Sequence, residues 1–295
     1  MKAAIVIVNY NCQALTSICL AGVKAHLVRD GVEVIVVDNS PDDELSQIIA
    51  GYPEVVGLRP GRNLGFAGGC NLGIRQALED GVDYIQLLNP DTEVNEDFLS
   101  PMIEAMQREP TLAIAGPKVL YEDGRVWYGG SRMNWWLGGP VQIFDSSLDS
   151  AAPLRLVPMV SGCAMLLRSE AVRLVGEMDE GYFLYYEDAD YCMAMAKAGL
   201  KIAYLPGPKL THAASAAAGF QSVNYIYYFS RNRIRFMKRW ARWYHFVVYM
   251  TYNTLVKLPG SIIIFGLLRR EPQLVSAYFK GYWDGLIGRV GKRGS

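Results

Sequence analysis

Three apolar runs constrain this chain more than any other feature. "AAIVIVN" (3–9), "VEVIVVD" (32–38) and "DYIQLLNPD" (83–91) stay largely apolar until each closes on polar residues. A strand with one wet face alternates, whereas a strand with none does not. These runs read as strands of a parallel sheet covered on both sides, and the weaker "VVGLRP" (55–60) joins them. Between them "CQALTSICLAGVKAHL", "DDELSQIIAGY" and "GFAGGCNLGIRQALEDG" read as helices, the first by its spacing and the last by its stop at Gly81. The β-α-β-α-β-α-β order predicts an α/β fold: a doubly wound, mostly parallel sheet flanked by helices. Ligands of such sheets gather at the carboxyl ends of the strands. The polar endings Asn9-Tyr10-Asn11, Asp38-Asn39-Ser40 and Asn89-Pro90-Asp91 are expected to line one crevice.

The rest of the chain divides less cleanly. Residues 122–158 are rich in Gly, Ser, Trp and Pro and read as loops and irregular strands. Trp127, Trp135 and Trp136 in this stretch would stack on sugar rings or pack internally. "VPMVSGCAMLLRSEAVRLVG" (157–176) returns to strand and helix, and "AYLPG" (203–207) reads as a short strand. From about Tyr225 the pattern is helical, giving an α/β domain over 1–224 and a basic amphipathic extension over 225–295. Phe229, Phe236, Trp240, Trp243 and Val247 recur on one face, and Arg231, Arg235, Lys238 and Arg242 on the other; the aromatic stripe would pack on the main domain or lie at a membrane interface.

Composition enters through charge. The net charge is zero, yet residues 1–190 hold 27 acidic and 13 basic side chains while residues 191–295 hold 2 and 16. A basic half suits an anionic membrane surface; pairing with the acidic half is the competing explanation. No nucleic-acid module accompanies it, so nucleic acid is not an expected partner. The stretch 246–268 is the one candidate for a membrane span. Asn253, Lys257, Pro259 and Gly260 interrupt it, so it is expected to lie on the bilayer and not cross it. Five dispersed cysteines suit reduced thiols in the cytoplasm and no zinc site. The first apolar run is too short for a secretory signal.

Several residues are candidates for chemistry. Asp38 ends a strand, where it could accept the N3–H of a pyrimidine or simply close the strand. Asp91 in "LLNPDTEV" suits a divalent cation on a diphosphate, or it could cap the helix that follows. His212 is either structural or a second metal ligand. The turn "RNLGFAGGCNLG" (62–73) is not a dinucleotide fingerprint, though its glycines would admit close approach by a ligand. "YFLYYEDADYC" (182–192) crowds Glu187, Asp188 and Asp190 where a helix begins, a placement that favours an ionised carboxylate.

Taken in order, "IVIVNYN", "VIVVDNS", "RNLGFAGGCNLGI", "LLNPDTEV", "VSGCAMLLRSEAVRLVGEMDEGYFLYYEDADYC" and "LTHAAS" resemble the family 2 glycosyltransferases of GT-A fold, in their bacterial rhamnosyltransferase-like branch. The resemblance covers residues 3–215, and "YYFSRNRIRF" carries it towards 236. It implies an inverting, metal-dependent hexosyltransferase that uses Mg²⁺ or Mn²⁺. The donor would be a pyrimidine-nucleotide sugar, dTDP- or UDP-linked with rhamnose as first choice, and the acceptor a lipid-linked saccharide in surface-polysaccharide synthesis. Asp188 matches the acceptor-activating base, with Glu187 and Asp190 orienting it or binding acceptor hydroxyls. Asp91 matches the last acid of the metal motif, with Asn89 in place of the first acid, and His212 resembles the later metal ligand. The donor contacts implied are Asn9, Asp38, Arg62, Asn63, Gly65, Asn89 and Asp91. The enzyme would sit in the cytoplasm, peripherally on the inner face of the cytoplasmic membrane, with a homo-oligomer left open. A polyprenyl-phosphate glycosyltransferase and a non-catalytic nucleotide-sugar-binding module at the membrane surface are the alternatives.

Overall fold

The computed structural model describes residues 1–149, 153–213 and 222–294. The apolar runs form β1 (Ala3–Asn9), β2 (Val32–Asp38) and β4 (Tyr84–Leu88), with β3 (Val55–Leu58) as the weak edge strand. They run parallel in the order β3-β2-β1-β4. β1 is buried along its whole length, as an unbroken apolar run requires. Helices α1 (Gln13–His26), α2 (Leu45–Ile49) and α3 (Gly65–Glu79) make the crossovers. Helix α3 seats tightly on β1, because a Cβ at Gly73 would stand 2.3 Å from Val6 Cγ1. From β1 the chain builds β2 and β3 to one side and β4 to the other. That reversal opens a crevice at the carboxyl ends of β1 and β4.

Beyond β4 a two-residue strand, β5 (Thr92–Glu93), leads to α4 (Leu99–Arg108) and β6 (Leu112–Leu120). Asp97 accepts the amides of Leu99 (3.1 Å) and Ser100 (2.9 Å), so it caps α4 and leaves Asp91 free of that task. β7 (Val126–Tyr128) pairs with β6, and β8 (Ser131–Asn134) and β9 (Gly139–Gln142) form a separate hairpin, which gives order to the irregular segment. After β10 (Arg155–Leu156), β11 (Ala164–Arg168) inserts antiparallel between β4 and β6, followed by α5 (Ser169–Val175), α6 (Glu187–Lys197) and β12 (Lys201–His212). β12 is 12 residues long, far beyond the short strand expected from sequence. Pro206, Gly207 and Pro208 break its pairing with β6 between Leu205 and Lys209, since proline donates no ladder hydrogen bond. The pairing then resumes and carries His212 to the strand end.

The C-terminal helices depart from the expected division at 224/225. In α7 (Val223–Trp240), Ile234, Phe236 and Met237 belong to the same core as the sheet. Its basic face is mostly spent inside the protein. Arg231 is fully buried, Arg235 and Arg239 pair with Asp179, and Lys238 donates to the carbonyls of Gly285 and Leu286. The charge split is therefore partly an internal pairing. The next segment also differs: Trp243–Leu268 is a single helical run of 26 residues, long and apolar enough to cross a membrane. Two π-helical stretches, Asn253–Lys257 and Ile262–Leu268, flank Pro259 and absorb the breaker within the helix. A last helix, Pro272–Ile287, packs back on α7.

Candidate active site

Strand endings, one turn and one strained loop build the site. Asp91 follows β4, and β5 pairs with β12, so that Thr92 lies opposite His212. Asp91 Oδ1 stands 3.1 Å from His212 Nε2, and both side chains are buried. Neither Asp91 Oδ1 nor His212 Nδ1 makes a hydrogen bond among the described residues. Burial works to lower the His212 pKa, but the neighbouring Cys163 and Asp91 outweigh it and hold the imidazole above its ordinary value. Trp127 leans over the imidazole with ring centres 4.4 Å apart.

The pair fits a hard divalent cation. Ligands of Mg²⁺ lie at about 2.1 Å, which sets adjacent octahedral ligands roughly 3 Å apart, the spacing found here. A buried carboxylate oxygen without a hydrogen bond is what such an ion would satisfy. No third His, Cys, Asp or Glu among the described residues joins them. Two protein ligands plus phosphate and water is the habit of Mg²⁺ and its relatives. The Asn89 side chain, half-buried beside the pair, has no protein partner among the described residues.

Asp188 opens α6 and is partly exposed. Its Oδ2 accepts the Gly162 amide (3.0 Å) and its Oδ1 the Ala189 amide (2.7 Å). Burial raises its pKa above the ordinary carboxylate value, and the two amides pull it part of the way back. The helix start favours the ionised form, as expected, but burial outweighs it and makes Asp188 a stronger base than an ordinary carboxylate, better suited to taking a proton. Glu187 is buried with Oε2 lacking a hydrogen bond, and burial followed by the Asp188 charge pushes its pKa up much further. Of the two, Glu187 is the harder to ionise.

Asp190, expected at the acceptor side, is engaged within the protein. Its Oδ1 accepts from Tyr182 (2.9 Å) and Trp240 (2.7 Å), and its Oδ2 pairs with Arg239 at 3.0 Å. Both oxygens are taken, so Asp190 ties α6 to α7. The residues before α6 are strained. Phe183, Tyr185 and Tyr186 have φ of 64°, 67° and 74°, a conformation that costs a side-chain-bearing residue about 1 kcal/mol or more. Asn232 Nδ2 binds the carbonyls of Tyr182, Leu184 and Tyr185 at 2.8–2.9 Å. Arg231 adds bonds to Gly181 and Tyr182. This clamp from α7 sets the direction of the loop and of Asp188 after it.

On the donor side several expectations change. Asn9 is fully buried, giving its amide to Asp38, Ser40 and Glu44 while accepting from Thr16 and Cys12. Asp38 has no exposed side-chain surface and accepts from Asn9 and from the amides of Ser40, Glu44 and Leu45. Burial acts to raise its pKa, but the Ser40 and Asn9 hydrogen bonds prevail and lower it. Neither residue has a group left for a base, and both shape the crevice wall instead. Gly65, with φ 77°, is needed for protein packing, since a Cβ there would stand 2.3 Å from the Phe183 carbonyl. Asn63 Oδ1 accepts the Gly65 amide. Arg62 is exposed with no ion pair among the described residues, so its charge remains available at the rim.

Residues 4–176 match the model of the family described as Glycosyl transferase family 2. The chain belongs to glycosyltransferase family 2. This glycosyltransferase is 26% identical over 263 residues to the N-acetylglucosaminyl-diphospho-decaprenol L-rhamnosyltransferase of Mycobacterium tuberculosis, covering 81% of this chain and 86% of that one. It is 27% identical to the dTDP-rhamnosyl transferase RfbF of Shigella flexneri, covering 70% and 68% of the two chains. These relatives set it in the rhamnosyltransferase-like branch of an inverting family. Among solved structures, Staphylococcus aureus TarS (residues 1–349) superposes with a TM-score of 0.60 at 12% identity over 97% of this chain and 81% of that one. The mannosyltransferase PcManGT from Pyrobaculum calidifontis, in complex with GDP-Man and Mn²⁺, gives 0.59 at 11% over 97% and 87%. The glycosyltransferase thus has the expected GT-A fold. Its Gly162 amide and the Asn232 clamp did not emerge from sequence reasoning. "SGC" beside β11 and "RNR" within α7 were the available signals, and only the three-dimensional contacts give them meaning.

Proposed function

We propose that this glycosyltransferase transfers a sugar, rhamnose as first choice, from a dTDP- or UDP-sugar to a lipid-linked saccharide during surface-polysaccharide synthesis. The observation that carries the reading is the Ser161-Gly162-Cys163 turn. Its Gly162 amide orients the Asp188 carboxylate, and its Cys163 stands beside His212 of the Asp91 pair. Base and leaving-group site are thus held by consecutive residues.

In the reaction Asp188 takes the proton of an acceptor hydroxyl. The oxygen forms its bond to the anomeric carbon from one face as the bond to the nucleoside diphosphate breaks on the other, and configuration inverts. Asp91 and His212 would hold Mg²⁺ or Mn²⁺, whose charge would offset that of the departing diphosphate. Asn89 and Arg62 are placed to add donors to the phosphates or sugar. Glu187, held neutral, spares Asp188 a second charge beside it.

The enzyme acts at the cytoplasmic face of the membrane in this reading. Trp243, Leu255, Leu267 and Leu268 of the long helix are 69–78% exposed, and Arg269 and Arg270 follow directly. An apolar face bordered by cations is how a protein lies on an anionic bilayer.

The test is transfer from dTDP-rhamnose and UDP-sugars to a synthetic diphospho-linked saccharide, with Mn²⁺, Mg²⁺ or a chelator. Asp188→Asn should lose at least a thousandfold in kcat while nucleotide binding stays; near-normal turnover would remove the base assignment. Asp91→Ala should abolish the metal dependence of donor binding.

A further inference from the structure

Arg233 and Lys257 face one cleft between α7, the long helix and the last helix, with Tyr225, Tyr249 and Tyr278 on its walls. The cleft has a cavity volume of about 70 Å³, several times what one water needs and room for a small polar group such as a phosphate. Arg233 Nε donates to the Tyr186 hydroxyl at 2.5 Å, but its two NH₂ groups have no acceptor among the described residues. The Lys257 ammonium has none either, and its nearest partner is the Tyr252 ring at 5.6 Å. No carboxylate pairs with either cation among the described residues. Burial first, and then the Arg233 charge, push the Lys257 pKa down to about 7. Two partly buried cations that repel each other, with their donors unspent, are costly unless an anion joins them. The Tyr278 hydroxyl is spent on Asn253 at 2.6 Å, whereas the Tyr249 hydroxyl accepts from Asn253 and keeps its own proton to donate.

The cleft is tied to the loop before the active-site acids by the Arg233–Tyr186 hydrogen bond. Tyr186, held by Arg233, directly precedes Glu187 and Asp188. Tyr185 stacks edge-on against Tyr225 with centroids 5.1 Å apart. On the other side, Lys257 follows Leu255 and Val256, which belong to the exposed apolar face. Along this line the groups run from proton acceptor to cation pair to apolar surface, the order of sugar, phosphate and hydrocarbon in a lipid-linked saccharide.

We propose that the Arg233–Lys257 cleft binds the phosphate or diphosphate joining sugar to lipid in the acceptor. The assignment deepens the function proposed above and rests on it for the identity of the anion. The probe is farnesyl diphosphate, titrated calorimetrically into full-length protein without nucleotide and with a chelator present, which keeps the probe off the Asp91 pair. It should bind. Lys257→Gln, which removes no hydrogen bond within the protein, should weaken it at least tenfold, Arg233→Met comparably, and Lys257→Arg should restore it. Farnesol should bind all four proteins alike. Undiminished binding to Lys257→Gln, or no binding to the parent, overturns the site. Displacement by short-chain phosphatidylglycerol at equal concentration would also overturn it, reassigning the cleft to bilayer phospholipid. If the parent transfers no sugar yet farnesyl diphosphate binding depends on Lys257, the transferase reading of the substrates fails and the anion site stands.

Discussion

Asp188 and Glu187 sit side by side and do opposite things with a proton. Two amide donors stabilise the Asp188 charge, whereas Glu187 Oε2 has none. The raised pKa of Glu187 fixes a pH dependence of stability. A carboxyl whose folded pKa lies above its unfolded value, near 4.3, supports folding fully below that value and loses this support as pH rises through the folded pKa. Glu187→Gln keeps the neutral shape and removes the titration. It should raise Tm by about 2–4 °C at pH 8, equivalent to ~1 kcal/mol in a chain of this size, and by nothing at pH 4. Thermal unfolding at both pH values checks this; an equal shift at both would mean Glu187 is ionised in the folded protein. At this scale the sequence was a fair guide to which residues matter and a poor one to what they do. "EDAD" marked the acids, but only the fold shows Asp190 turned towards Tyr182, Trp240 and Arg239. Asp38 and Asn9 read equally well as ligand contacts and as strand ends, because residue type cannot reveal that every oxygen and amide is already bonded.

Among the elements, α7 bears most directly on function. Its Asn232 holds three carbonyls of a loop that contains three residues at positive φ. Asn232→Ala should destabilise by about 2–4 kcal/mol, from buried carbonyls left without donors, and should lower kcat more than it weakens nucleotide binding. Asn232→Asp should do no better, since a carboxylate offers those carbonyls no donor. Urea unfolding and donor titration separate the two effects. The strands of the first half were legible because burial on both faces leaves an unbroken apolar run. Helix α7 was legible as a helix whose aromatic stripe would pack on the main domain or meet a membrane, but the fate of its basic face was not legible. Its arginines carry the same periodicity whether they meet water, lipid or Asp179, and the partner lies far away in sequence.

For the whole molecule, the charge split and the exposed helix bear on location. Replacing Trp243, Leu267 and Leu268 with Ser should weaken binding to anionic vesicles roughly tenfold or more, as expected for losing several buried apolar side chains. Raising salt should weaken the remainder. Flotation with vesicles measures both; vesicle binding unchanged by the serines would leave the apolar face to another partner. Removing residues 225–295 is a different experiment. It takes Ile234, Phe236 and Met237 from the core and Asn232 from the loop, so residues 1–224 alone should not fold cooperatively. The expected boundary at 224/225 followed composition, and core packing crosses it.

The clamp also sets an order of events during synthesis. A ribosome makes the sheet, the Asp91 turn and Asp188 before it makes Arg231 and Asn232. The strained loop lacks its Asn232 clamp until α7 emerges, so the nascent chain carries Asp91 and Asp188 before it has the geometry the clamp gives them. Sugar transfer begins only when α7 has been made and has closed on the loop.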